Sequence, residues 1–267
     1  WQAGSAFKPC TLAAAMEQGY SIDSRWYGPS PITIQDPECY TDGAPWELSN
    51  ASDSESGTFT LLSATTHSVN TVYAQVASAV TPKAIVDVAG RMGIRSPLEP
   101  VCSITLGTQA VTPLEMTNAY ATLAARGWRH RASPLERVDT ADGETDLQIG
   151  GRGKLVLRQN DADLITYALE TVIESGTGTA AAIGRPAAGK TGTAQEYWDA
   201  WFCGYVPQLV TCVWVGYPQG EIPLEDVEGF SAVYGGTIPA LIWHDFMSQA
   251  TAAMRIKDFA EPSFEGY

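Results

Sequence analysis

Ala200-Trp-Phe-Cys-Gly-Tyr-Val206 and Leu209-Val-Thr-Cys-Val-Trp-Val-Gly-Tyr217 are aromatic and β-branched runs separated only by Pro207-Gln208. Two strand-forming runs joined by two residues predict an antiparallel hairpin. Such a loop sets Cys203 directly opposite Cys212. Cross-strand neighbours bond only at a favourable, non-hydrogen-bonded pair, and two small apolar side chains packed side by side fit the same position equally well.

Immediately upstream, Lys190-Thr191-Gly192-Thr193 reads as a strand leading into the hairpin. Side chains alternate along a strand, so Lys190 and Gly192 share one face and Thr191 takes the other. A glycine at 192 lets a ligand backbone approach, and an edge followed by small hydroxyls can hold an extended peptide and its carboxylate. The same stretch completes Gly184-Arg-Pro-Ala-Ala-Gly189-Lys190-Thr191, which matches a phosphate-binding loop. That loop works by joining a strand to a helix N-terminus. Here the flanks are reversed, with a helix before and a strand after, and nucleotide binding is rejected.

Further out the pattern is helical. Thr112-Pro113-Leu114-Glu115 supplies a Thr cap, Pro at the first helical position and Glu three on, for a helix through Tyr120 and Leu123 to Gly127. A second helix starts at an Asn160 cap, buries Leu164, Ala168 and Val172, and ends near Gly176. Val72, Val76 and Val80 mark a helix after residue 70, and Thr81-Pro82 opens another. Thr237 with Pro239 opens the last, which carries Leu241, Ile242 and Phe246. Stretches 21–57 and 139–153 are rich in turn residues and read as loops. Asn50-Ala51-Ser52 matches a glycosylation triplet of a kind common by chance.

The 267 residues allow one large domain or two small ones, and 45% apolar content supports a packed core. The net charge of -14, with 16 basic residues in no cluster, disfavours nucleic acid and anionic membrane surfaces. No apolar run is long enough to span a bilayer. The five cysteines have no C-x-x-C spacing and His67, His130 and His244 stand apart from them, which disfavours a zinc site.

Two further short motifs complete a chemical constellation. Ser5-Ala-Phe-Lys8 places Ser and Lys one turn apart on one face at a helix start, where the dipole favours a developing oxyanion. A lysine serves as the base for a serine only if burial or a cationic neighbour lowers its pKa. Ser68-Val69-Asn70, in an irregular loop, can project a relay hydroxyl and an amide into one cleft. Each motif alone is weak; the three in this order, each on a suitable element, are specific.

In that order S-x-x-K, S-x-N and K-T-G resemble the signature of penicillin-recognising active-site-serine enzymes. Gly4-Ser5-Ala-Phe-Lys8-Pro9, Leu106-Gly107-Thr108, Gly176-Thr-Gly-Thr-Ala180, Ala188-Gly-Lys-Thr-Gly-Thr193 and Asp199-Ala-Trp-Phe-Cys-Gly-Tyr205 are similar to the transpeptidase domain of class A, bifunctional penicillin-binding proteins, over almost the whole of 1–267. The resemblance implies an α/β (α+β) penicillin-binding, serine β-lactamase-like fold: an antiparallel sheet flanked by helices, with an all-helical subregion. It implies Ser5 as nucleophile on a D-Ala-D-Ala stem peptide, Lys8 as its base, and Ser68 with Lys190 in proton relay. Asn70, Thr191, Gly192 and Thr193 would bind substrate, the backbone N–H groups of Ser5 and Thr193 would form the oxyanion hole, and no metal or organic cofactor would enter. An acceptor amine would resolve the acyl-enzyme, and β-lactam antibiotics would acylate the same serine.

In that family strands and a helix upstream of the serine help build the central sheet. Those elements, the glycosyltransferase domain and the membrane anchor are expected on an upstream part of the same gene product, on the extracytoplasmic face of a bacterial membrane. That compartment permits disulfides, with Cys39–Cys102 expected first and Cys203–Cys212 second, leaving Cys10 buried behind the nucleophile helix. A class A β-lactamase shares the motifs but uses an E-x-x-L-N segment for deacylation. This chain has no Leu-Asn dipeptide, so slow deacylation is expected. The same motifs also suit a D,D-carboxypeptidase, with water as acceptor, and a β-lactam sensor domain, acylated without a peptide reaction.

Overall fold

The computed structural model describes residues 1–52, 55–148 and 153–265. In chain order a 3-10 turn (Gly4–Phe7) runs into α1 (Lys8–Glu17), followed by β1 (Arg25–Gly28), β2 (Ile32–Ile34), β3 (Trp46–Leu48) and β4 (Gly57–Thr60). Next come α2 (Leu61–Thr66), α3 (Asn70–Val80), α4 (Pro82–Met92) and α5 (Pro113–Ala124). Short strands β5 (Trp128–Arg129), β6 (Arg137–Asp139), β7 (Thr145–Gln148) and β8 (Lys154–Leu155) precede α6 (Gln159–Glu174). The chain closes with β9 (Ala188–Thr193), β10 (Asp199–Val206), β11 (Leu209–Gly216), β12 (Glu225–Val227), β13 (Phe230–Ala232) and α7 (Ile238–Ala250).

The organising layer is the antiparallel sheet β11-β10-β9. The two-residue loop holds the expected register, with Cys203 facing Cys212 and Val206 facing Leu209. Every residue of central β10 is buried. Its side chains sort by the two-residue period of a strand. Trp201, Cys203 and Tyr205 enter the large core with α1, α3, α5 and α6, while Phe202 and Val206 pack with Ala240, Trp243 and Met247 of α7. The sheet is therefore covered by helices on both faces, as the α/β reading requires. Its outer strand β11 is half-buried along all eight residues and pairs only with β10 among the described residues.

Most helix signals hold. The Thr112 hydroxyl and the Glu115 carboxylate form a reciprocal capping box on α5, and the Thr81 hydroxyl accepts from Ala84 N at the start of α4. Val72, Val76 and Val80 of α3 are fully buried, as are Leu164, Ala168 and Val172 of α6.

Other expectations are corrected. α6 is capped at Arg158 rather than Asn160, because the Asn160 amide is taken up by the Ser263 backbone, giving Nδ2 to its carbonyl at 2.9 Å and accepting from its N–H at 2.7 Å. The last helix opens at Thr237 as expected and carries Leu241, Ile242 and Phe246 on its exposed side, while its core face is Pro239, Ala240, Trp243 and Met247. Stretch 21–57 is not all loop: β1 pairs with β4 and β2 with β3, each pairing supplied by a distant segment. Likewise β6 and β7 form a hairpin across 137–148. Residues 53–54 and 149–152 of those stretches lie outside the described residues. Asn50 of the glycosylation triplet is buried, its amide bonded to Glu55 O at 2.5 Å and Thr71 N at 2.9 Å, which makes it a structural tie.

Disulfides join Cys39 to Cys102 and Cys203 to Cys212, while Cys10 is free and buried. The first bridge spans 63 residues and ties the β1–β4 excursion to the 3-10 turn Cys102–Leu106, which supports the start of the chain through the Gly4 N to Gly107 O bond of 3.3 Å.

Candidate active site

Ser5 sits in the 3-10 turn that leads into α1, and Lys8 is the first residue of that helix. Two close approaches seat the turn on the sheet. Gly4 has φ +55°, and a Cβ there would meet Thr193 O at 2.4 Å. Gly192 has no room for a Cβ, which would stand 2.2 Å from Ala3 O. The approach that needs a glycine at 192 is thus that of this chain's own turn, not of a ligand backbone. Tyr120 donates to Ala6 O at 2.7 Å, and the Asp199 carboxylate accepts from Gln2 N at 2.9 Å and Trp214 Nε1 at 2.6 Å. The backbones of Ser5 and Thr193 are thereby brought side by side.

Lys8 is fully buried. Its Nζ lies 2.6 Å from Ser68 O, 2.8 Å from Asn70 Oδ1 and 3.1 Å from Ser68 Oγ, and 5.1 Å from the centroid of the Tyr73 ring. Ser68 holds these positions from a left-handed conformation with φ 62°, and Asn70 opens α3 instead of lying in a loop. Burial, and after it the like charge of Lys190, hold the Lys8 pKa well below the usual lysine range, while Glu55 pulls the other way. Burial brings Lys190 down to about 7. The carbonyl and the amide oxygen can only accept. A neutral Lys8 amine can therefore give one N–H to each of them and keep a lone pair on the side open to hydroxyls.

Ser5 is half-buried and borders two cavities. The first, about 420 Å³, is lined by Ser68, Asn70, Thr191 and Thr193, together with His67, Glu55, Thr177, Tyr197, Tyr234 and Gly236. Thr177 and Thr191 share a hydroxyl hydrogen bond of 2.7 Å, and Thr193 Oγ1 accepts from Gly235 N at 3.1 Å. The second, about 640 Å³, shares Ser5, Asn70, Thr193 and Tyr197 with the first and extends past Trp46, Ser103 and Thr108. Glu47, Glu196 and Glu225 give it an acidic lining.

The structure thus gathers Ser5, Lys8, Ser68, Asn70, Lys190, Thr191 and Thr193 around one point, with Gly192 against the serine turn. Sequence reasoning assigned no role to Thr177, Tyr234, Gly236 or Glu55. The Gly235-Gly236 pair and the Gly176-Thr-Gly stretch that holds Thr177 are the local hints of a close approach. Burial pushes the Cys10 thiol up to about 12, so this buried cysteine is no competing nucleophile.

Comparison with known proteins agrees with this geometry. The family described as penicillin binding protein transpeptidase domain matches residues 1–221. Penicillin-binding protein 1A of Mycobacterium tuberculosis is 32% identical over 99% of this chain and 34% of its own length. Penicillin-binding protein 1A of Neisseria gonorrhoeae is 31% identical over 98% of this chain and 33% of its own. The chain spans about a third of the length of these curated relatives. Among solved structures, the PonA1 protein from Mycobacterium tuberculosis in complex with penicillin V aligns with a TM-score of 0.86 at 31% identity, covering 98% of this chain and 72% of that one. Penicillin-binding protein 1A from Haemophilus influenzae aligns with a TM-score of 0.84 at 25% identity, covering 98% and 44%. Carrying the Ser5–Lys8 turn against the Lys190–Thr193 strand, this chain belongs to the penicillin-binding protein transpeptidase-domain family.

Proposed function

We propose that the chain is a peptidoglycan D,D-transpeptidase domain, and that β-lactams acylate the same serine. One observation carries this reading: a fully buried lysine bonded to both Ser68 and Asn70, one turn from a serine at the meeting point of two cavities. Ser5 Oγ attacks the carbonyl between the two terminal D-alanines as Lys8 takes its proton. The backbone N–H groups of Ser5 and Thr193 receive the oxyanion, a contribution typically of about 10²–10³ in rate. As the C–N bond breaks, Lys8 returns the proton through the Ser68 hydroxyl to the departing D-alanine amine, leaving an ester on Ser5. Thr191 and Thr193, with Lys190 behind them, hold the terminal carboxylate, and Asn70 bonds the donor peptide. Gly192 contributes by keeping Thr193 close to the serine turn.

The acceptor amine enters through the second cavity, whose Glu47, Glu196 and Glu225 favour a cationic group. It sheds one proton to solvent to become a neutral amine and attacks the ester. Its second proton passes to the Lys8–Ser68 pair and on to Ser5 Oγ as the ester C–O bond breaks, leaving the cross-link amide and a free serine. The acidic second cavity supports an amine over water as acceptor. Two disulfides support an oxidising, extracytoplasmic location. No helix among the described residues is long and apolar enough to cross a membrane, and anchoring is assigned to an upstream part of the same protein. The edge of β11, half-buried and unpaired among the described residues, supports completion of the sheet by strands from that part.

Incubation with a D-Ala-D-Ala stem peptide and an amine acceptor tests this reading. Released D-alanine with a cross-linked product, both lost in Ser5→Ala, is expected. Release without a cross-link means a carboxypeptidase, and acylation by β-lactam without release means a sensor.

A further inference from the structure

On an acidic molecule, three of the eleven arginines line one small cavity. Arg95, Arg129 and Arg131 border about 260 Å³ together with Asn118 and Glu115, at the start of α5, and the cavity shares no lining residue with the two that meet at Ser5. Among the described residues none of the three arginines makes an ion pair. Arg129 Nε is buried and has no hydrogen-bond partner.

The single carboxylate in the lining does not neutralise them. Glu115 Oε1 accepts from Arg95 N at 2.8 Å and Ser96 N at 2.6 Å. Its Oε2 accepts from Ser96 Oγ at 2.8 Å and from Thr112 N and Oγ1, both at 2.9 Å. Partial burial works against its charge, but these bonds prevail and bring its pKa down to about 2. Its oxygens are committed to the backbone of the α4–α5 connection and to the α5 cap.

We infer that the Arg95–Arg129–Arg131 cavity is a binding site for a small phosphate-class anion, separate from the serine site. Guanidinium forks match phosphate oxygens in paired hydrogen bonds, and a buried donor without an acceptor is costly until an acceptor arrives. Three cations in one concavity suit a multivalent oxyanion better than a single carboxylate. The volume falls below the range of about 300–1,000 Å³ typical of cavities for drug-sized ligands. A net charge of -14 argues against docking on a broad anionic membrane surface, whereas the three guanidiniums confined to this small cavity act locally on a single phosphate or pyrophosphate group.

Titration of the protein with inorganic phosphate and with pyrophosphate at constant ionic strength, read by calorimetry, tests this inference. Saturable one-site binding is expected, with acetate much weaker. Arg95 and Arg131 are exposed and removable without loss of core, so Arg95→Gln/Arg131→Gln should weaken binding about tenfold or more per guanidinium while circular dichroism and β-lactam acylation stay unchanged. Three results would overturn it: no saturable binding of either anion, binding unaffected by the double substitution, or binding only to phosphatidylcholine vesicles containing phosphatidylglycerol.

Discussion

Lys8 Nζ lies 3.1 Å from Ser68 Oγ, so the buried amine and the relay hydroxyl form one proton path. The Ser68 carbonyl and Asn70 Oδ1 hold Lys8 independently of that hydroxyl. Ser68→Ala should therefore fold normally and keep Lys8 in place, yet react slowly. A positioned acid–base group contributes typically about 10²–10⁴ in rate, and a loss at the lower end of that range is expected in the rate of penicillin acylation, measured by rapid quench. A variant as fast as the parent would remove Ser68 from the path.

The charge environment of Lys8 predicts two opposite pH shifts. Lys8 is an effective base only when neutral, so acylation should rise with pH through its lowered pKa. Glu55 favours the charged form; Glu55→Gln should move the rise to lower pH. Lys190 disfavours it; Lys190→Met should move the rise to higher pH. The second-order acylation rate followed across pH checks both, and displacement in one common direction would contradict this electrostatic account.

Asp199 holds the segment leading to the serine against the hairpin. Asp199→Ala removes a buried carboxylate and leaves Gln2 N and Trp214 Nε1, both part-buried, without their acceptor. A loss of about 1–3 kcal/mol is expected from one such unsatisfied group. Denaturant unfolding should show a lower midpoint at unchanged slope. Acylation should slow as the serine turn loosens. A full-speed, fully stable variant would show that the Gly4 and Gly192 approaches and the Tyr120 bond to Ala6 O seat the turn without Asp199.

What could be read in the sequence follows from how local each signal is. The hairpin register rests on two β-branched runs and their two-residue loop, and the α5 start rests on Thr112, Pro113 and Glu115, all within four residues. By contrast, β1 and β4 are strands only because Arg25 to Gly28 meets Gly57 to Thr60 across an intervening excursion, a pairing no local window contains. Asn160 has the right chemistry for a cap, but Ser263, 103 residues away, claims its amide. At the site, Ser5, Lys8 and Lys190 stood out through short spacings. Thr177, Tyr234 and Gly236 reach the cavity only because the β13–α7 connection and the residues after α6 fold back on β9.

The central claim is that Ser5 is a nucleophile activated by Lys8. Intact-mass analysis after incubation with a penicillin, followed by peptide mapping, tests it most directly. One long-lived penicilloyl group on Ser5, absent from Ser5→Ala, is the predicted result. No adduct, an adduct on another residue, or rapid hydrolysis of the penicillin would contradict it.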